Sequence, residues 1–76
     1  MSFLVKRSLS LSGHRTSVAL EPEFWHVLDQ VAIQRQLSFT ALVAEIDARR
    51  TPDRPLASAL RVAALLSRNP QQTNLL

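Results

Sequence analysis

The sequence predicts a mainly α-helical domain with one short β-strand ahead of the helices, on three observations. Residues 15–20 alternate between polar and apolar side chains, and a period of two is typical of a strand. Two later segments, one after Pro22 and one after Ser38, repeat apolar residues at helical spacing. A third such segment follows the proline-containing linker at residues 51–55. The predicted order is therefore strand, helix, helix, and an extra C-terminal helix.

The predicted strand has two different faces. One face is directed towards the core and consists of Thr16, Val18 and Leu20. The other face points away from the core and consists of Arg15, Ser17 and Ala19. The strand should end at Glu21, because Pro22 cannot continue a hydrogen-bonded ladder.

Local signals place the ends of the three helices. Pro22 suits the first turn of helix 1, which is expected to end near Gln36. Ser38 is a typical N-cap for helix 2. Helix 3 is expected from about Leu56 to Arg68, with a frayed tail behind it. Trp25 lies off the main apolar stripe of helix 1 and is expected to pack on helix 3 or on a partner. The residues expected to form the core of a dimer are Val18, Leu20, Phe24, Leu28, Val31, Leu42, Val43 and Ile46.

Composition predicts an oligomer and argues against several kinds of site. The chain has 76 residues, 46% of them apolar, and no cysteine, so disulfides and thiolate metal sites are excluded. A chain this short hides its apolar residues best by association. His14 and His26 fall in different elements, which predicts no metal and no cofactor. A single glycine and the lack of a catalytic constellation predict that the protein is not an enzyme.

No segment resembles a secretion signal or a membrane span, so a cytoplasmic protein that does not bind membranes is expected. Residues 1–20 contain Lys6, Arg7 and Arg15 and no acid. This asymmetry is typical of an arm that faces a polyanion, although a solvated tail would look the same.

The predicted strand needs a partner, because one strand leaves its backbone groups unpaired. Residues 6–11 could fold back on it as a hairpin, or it could pair with its copy in a second chain. The excess of apolar residues favours the second pairing, and the two are compatible.

Two stretches resemble the ribbon-helix-helix family, to which the methionine repressor and Arc belong. They are residues 15–24 (RTSVALEPEF) and residues 37–43 (LSFTALV), and the resemblance covers residues 14–50. Residues 8–17 (SLSLSGHRTS) and 56–61 (LASALR) are also similar to a group of short alphaproteobacterial members, which implies a bacterial protein. One departure is that Gln36-Leu37 stands where many members have a glycine before helix 2.

The resemblance implies an intertwined homodimer in which strand 15–20 pairs antiparallel with its copy. The resulting intermolecular two-stranded ribbon would enter the major groove of double-stranded DNA, where several dimers could bind side by side. Arg15, Ser17 and Ala19 would then face the bases. Phosphates would be contacted by Ser38, Phe39 and Thr40 at the start of helix 2, and by Lys6 and Arg7 of the arm.

These observations divide the chain into five parts. They are an N-terminal basic arm with a possible extra strand (1–13), the ribbon-helix-helix domain (14–50), a linker (51–55), the C-terminal helix (56–69) and a tail (70–76). The predicted function is a DNA-binding transcriptional regulator. An antitoxin of a toxin–antitoxin pair is the first alternative, and a helical protein-interaction module without DNA binding is the second.

Overall fold

The computed structural model describes residues 3–68, so the predicted frayed tail lies outside the described residues. Its elements are β1 (Val5–Leu11), β2 (His14–Leu20), α1 (Pro22–Gln34), α2 (Phe39–Arg49) and α3 (Leu56–Arg68). The fold class predicted from the sequence, mainly helical with short β structure and an extra C-terminal helix, is confirmed.

The two strands form an antiparallel hairpin, with Val5 opposite Leu20 and Leu11 opposite His14. The turn between them has positive φ angles at both central residues, 52° at Ser12 and 80° at Gly13. Two-residue hairpin turns of type I′ require such angles, and their twist matches that of the strands. Of the two pairings that the sequence leaves open, the chain therefore makes the hairpin. Pairing of β2 with a copy stays a prediction.

The turn between α1 and α2 contains no glycine, although many members of the family that the sequence resembles have one before helix 2. Gln36 adopts a left-handed φ of 57°. The N–H groups of Gln36 and Leu37 donate to the carbonyls of Ile33 (3.1 Å) and Ala32 (2.9 Å). These two bonds form a Schellman motif, which satisfies the last carbonyls of α1. Glutamine therefore occupies a backbone conformation that glycine adopts more easily.

The core lies between the inner face of the hairpin and the three helices. Its buried residues come from both strands and every helix: Leu9, Val18, Leu20, Trp25, Leu28, Ala32, Leu42, Val43, Ala59, Leu60 and Ala64. Because α3 contacts α1, α2 and β2 and supplies three of these side chains, it is an integral part of the domain.

Most of the predicted core is buried within one chain. Five of the eight residues are buried, whereas Phe24, Val31 and Ile46 are only partly buried at its edge. Trp25 is 2% exposed, and its indole N–H donates to the carbonyl of Val5 at 2.7 Å. Its ring also meets Phe39 edge-on, so Trp25 packs between the hairpin and the start of α2, whereas the sequence suggested helix 3 or a partner.

Candidate nucleic-acid interface

The hairpin turns one of its faces away from the helices, and we call this the outer face. Directly opposed residues in an antiparallel pair point to the same side. The register therefore places six side chains together on the outer face: Lys6, Ser8, Ser10, Arg15, Ser17 and Ala19. All of them are exposed except Ala19, which is half-buried, while Val18 and Leu20 are buried on the inner face.

The outer face carries two cations and three hydroxyls, and none of its residues is acidic. The ion pairs among residues 3–68 include neither Lys6 nor Arg15. Both charges are therefore available to an external anion. Small hydroxyl side chains between them let the backbone approach a ligand closely. A polyanion with hydrogen-bonding groups fits this surface best.

Two contacts cross between the strands on the outer face. The Nη1 of Arg15 donates to the Oγ of Ser10 at 3.2 Å. The hydroxyls of Ser8 and Ser17 lie 3.4 Å apart, at the long end of a hydrogen bond. The first contact restrains the guanidinium of Arg15 through one of its nitrogens, so the other N–H groups can donate to a ligand.

Arg7 lies on the opposite, inner face of the hairpin. Its guanidinium donates to both carboxylate oxygens of Asp29, at 2.9 and 3.0 Å. It also stacks over the rings of Trp25 and Phe39, 4.7 Å from each centroid. The hydrogen bonds from Arg7 lower the pKa of Asp29 below its ordinary value.

Lys6 and Arg7 were expected to share a basic arm, but the strand sends them to opposite faces. A phosphate contact by Arg7 stays a prediction, and the guanidinium has a carboxylate partner in the structure. The alternation of Arg7 with Leu9 and Leu11 was a signal in the sequence that could have placed Arg7 inward.

The start of α2 is capped as predicted. The Oγ of Ser38 accepts the N–H of Ala41 at 3.0 Å. Thr40 is exposed, and the partly buried ring of Phe39 holds this end of α2 next to Arg7 of β1. The N–H groups of the first turn have no partner within a helix, which makes a helix start compatible with an anion.

A separate cleft of about 490 Å³ opens between the three helices. Apolar side chains such as Leu28, Val31 and Ile46 line its walls, and arginines including Arg49 and Arg54 stand at its rim. Val62 and Leu66 of α3 also line the cleft, and they are 40% and 60% exposed. The cleft is thus an apolar surface that the described chain leaves uncovered.

Neither a metal cluster nor a membrane span is found in the described part of the chain. Residues 3–68 contain no group of three or more histidine, aspartate or glutamate side chains placed to hold a metal ion. None of the helices described is both long enough and apolar enough to cross a membrane.

The class of domain is thus a two-stranded ribbon supported by helices, with a basic, hydroxyl-rich outer face. A family model described as the ribbon-helix-helix domain matches residues 4–67, and the chain belongs to this family. Members are in general DNA-binding transcription regulators or antitoxins, usually without enzymatic activity, and they typically bind DNA as dimers. Neither the curated proteins nor the solved structures gave a match.

Proposed function

We propose that this protein is a transcription regulator that binds double-stranded DNA through the outer face of its hairpin. The observation that carries the proposal is the chemistry of that face, where Lys6 and Arg15 are free of acidic partners and small hydroxyls lie between them. The major groove admits a two-stranded ribbon and displays a distinct donor and acceptor pattern for each base pair.

The three outer-face residues of β2 have separate roles in the proposal. Arg15 donates to the edge of a guanine, for which a guanidinium is the best-suited side chain. Ser17 donates to or accepts from a neighbouring base, and Ala19 contributes an apolar contact, for example to a thymine methyl group. The exposed position of Arg15 and Ser17 supports these roles.

Phosphates would be held at the margins of the ribbon. Lys6 is exposed at the end of the hairpin far from the turn, where it can reach a phosphate. The backbone of Ser38, Phe39 and Thr40 at the start of α2 offers a second contact, as in the family. Arg7 would contact a phosphate only by exchanging it for Asp29, with which it pairs in the structure.

The proposed active form is a homodimer in the bacterial cytoplasm. Members of the family typically bind DNA as dimers, which supports a homodimer. The exposed apolar residues Val62 and Leu66 beside the cleft support a homodimer as well. Sedimentation velocity at micromolar concentration measures this directly. A mass of one chain at every concentration would contradict the homodimer.

Fluorescence anisotropy with duplexes selected from a random pool tests DNA binding. Arg15→Ala is expected to lower affinity for the selected duplex about 5- to 150-fold, from the roughly 1–3 kcal/mol that a bidentate base contact contributes. Arg54→Ala is the matched control, provided that sedimentation velocity shows an unchanged oligomeric state, because Arg54 lines the cleft. It also removes one positive charge from an exposed arginine, but in the linker, where Arg54 donates to Ser58.

A salt titration completes the test, because log affinity falls linearly with log salt when phosphates are neutralised. No binding to any duplex at about 50 mM salt would refute the proposal. Equal losses from the Arg15 and Arg54 variants would refute the role given to the hairpin.

A further inference from the structure

We propose that Arg7 is a positioning residue for DNA binding, because its guanidinium fixes the start of α2 against the hairpin that carries the outer face. This rests on the proposed function, in which Arg15 on the outer face and the backbone at the start of α2 contact one duplex. Every contact that carries the inference lies within one chain, so it holds equally when β2 pairs with a copy.

The guanidinium of Arg7 connects three elements of the fold. Arg7 belongs to β1, and it donates to both carboxylate oxygens of Asp29 in α1, at 2.9 and 3.0 Å. Its Cζ lies 4.7 Å from the ring centroid of Trp25 in α1 and 4.7 Å from that of Phe39 in α2. Phe39 is the first residue of α2. A side chain of the hairpin therefore contacts the helix end that the proposed function places beside a phosphate.

The two rings that receive the guanidinium are themselves fixed. Trp25 is 2% exposed, and its indole N–H donates to the carbonyl of Val5 at 2.7 Å. The ring of Phe39 meets that of Trp25 edge-on, with 5.6 Å between the centroids. A planar guanidinium can bind a carboxylate with two parallel hydrogen bonds and stack on rings at the same time. These four residues, Arg7, Trp25, Asp29 and Phe39, form what we call the arginine cluster.

The two DNA contacts of the proposed function lie on different elements, so their spacing has to be set by the fold. Arg15 is on β2, whereas Ser38 and Thr40 flank Phe39 at the start of α2. Hydrogen bonds weaken steeply when donor and acceptor are misaligned. Both contacts can form on one duplex only if α2 is held at a fixed position relative to the hairpin. The stack of Arg7 on Phe39 is a contact between these two parts at the helix start itself.

The place of Arg7 on the hairpin favours positioning over a direct phosphate contact. Arg7 lies on the inner face, opposite Val18, whereas its neighbour Lys6 lies on the outer face. To reach a phosphate, the guanidinium would have to give up both hydrogen bonds to Asp29 and both ring contacts. A positioning role uses all of these contacts as they stand. Asp29 is then the residue that holds the guanidinium in place, and it is not a competitor of DNA.

Replacing Asp29 distinguishes the two roles by the sign of the effect. Asp29→Ala removes a negative charge and releases the guanidinium, so affinity for DNA would rise if Arg7 bound a phosphate. If Arg7 positions α2, affinity for the selected duplex should instead fall about three- to tenfold, as for one lost hydrogen bond. Arg7→Lys keeps the charge but loses the planar group, so it should lower affinity by a similar factor. Fluorescence anisotropy measures both variants. It is done at a temperature where circular dichroism shows each variant to be folded, so that a role in stability alone would leave affinity unchanged.

Trp25 provides a spectroscopic readout of the same cluster, because it is the only tryptophan in the chain. Its ring is 2% exposed, so a duplex does not touch it directly. If Arg7 stays in place, the emission maximum of Trp25 should be the same with and without DNA. A shift on binding in the unmodified chain that is lost in Arg7→Lys would show that Arg7 leaves the ring, and would overturn the positioning role.

Asp47→Ala is the matched control. It removes the same charge from an aspartate that also pairs with an arginine, Arg50 at 2.7 Å, but near the C-terminal end of α2. It should bind as the unmodified chain does, provided that sedimentation velocity shows an unchanged oligomeric state, because Arg50 lines the cleft. Affinity of Asp29→Ala at or above that of the control would overturn the positioning role and leave the proposed function standing. Failure of the unmodified chain to bind any duplex would overturn both.

Discussion

The contribution of α3 to the core can be measured by truncating one leucine of that helix. Leu60 is fully buried among side chains from the other elements, whereas Leu65, on the same helix, is 58% exposed. Leu60→Ala and Leu65→Ala make the same chemical change with the same effect on helix propensity. The difference between the two variants therefore isolates the packing of α3 against the rest of the domain.

The expected magnitude follows from burial. Truncating a fully buried leucine costs about 2–5 kcal/mol, because the transfer free energy is lost and a cavity is left. Leu65 buries less than half of its side chain, so its truncation should cost less than about 1 kcal/mol. A domain of this size is stable by roughly 4–11 kcal/mol, so Leu60→Ala removes a large share of its stability.

Urea unfolding followed by circular dichroism, at one fixed protein concentration, gives both free energies of unfolding. The melting temperature of Leu60→Ala should fall by at least about 8 °C. Losses below about 1 kcal/mol in both variants would refute the reasoning, since they would show that α3 does not complete the core.

Other perturbations test the hairpin, the turns and the inner ion pair. Val18→Asp puts an unpaired charge in the core and should abolish the folded circular dichroism spectrum; a folded variant would show that the strand is in the wrong register. Gly13→Ala should lower the free energy of unfolding by about 1 kcal/mol, because Gly13 has a φ of 80° and a residue with a Cβ is strained there. Gln36→Gly should raise the free energy of unfolding by a few tenths to about 1 kcal/mol, because Gln36 also has a positive φ and glycine adopts it without strain. Urea titrations showing the opposite signs would contradict these turn conformations. Because the pKa of Asp29 is lowered in the folded state, its contribution is present above the unfolded pKa of about 3.9 and is lost as the pH falls through the folded value. Asp29→Asn should therefore cost up to about 1 kcal/mol at pH 7, after allowance for solvent screening of this partly exposed pair, and progressively less as the pH falls through the lowered pKa of Asp29. A cost that does not change with pH would exclude the ion pair as its cause.

The helices could be predicted from the sequence because their signals are local. Pro22 begins α1, the hydroxyl of Ser38 caps α2, and α3 covers the range expected from its apolar repeat. The two faces of β2 followed from its alternation of side chains in the same way.

The position of β1 could not be settled in this way. The turn signal at Ser12-Gly13 is local, but the choice between a hairpin and a second chain depends on what covers the inner face of the strands. Arg7 illustrates the difficulty, because its charge suggests an exposed arm. It points inward because Asp29, Trp25 and Phe39, distant in sequence, together provide hydrogen bonds and ring faces for its guanidinium.

The short turn at Ser12-Gly13 affects how fast the hairpin of the protein folds. Strands joined by two residues meet by closing a small loop, an event of microseconds that one molecule completes alone. A ribbon built from two chains would instead have to wait for a collision, so its formation would slow as the protein was diluted. Since β1 and β2 belong to the same molecule, the refolding rate of the hairpin should be the same in dilute and concentrated solution.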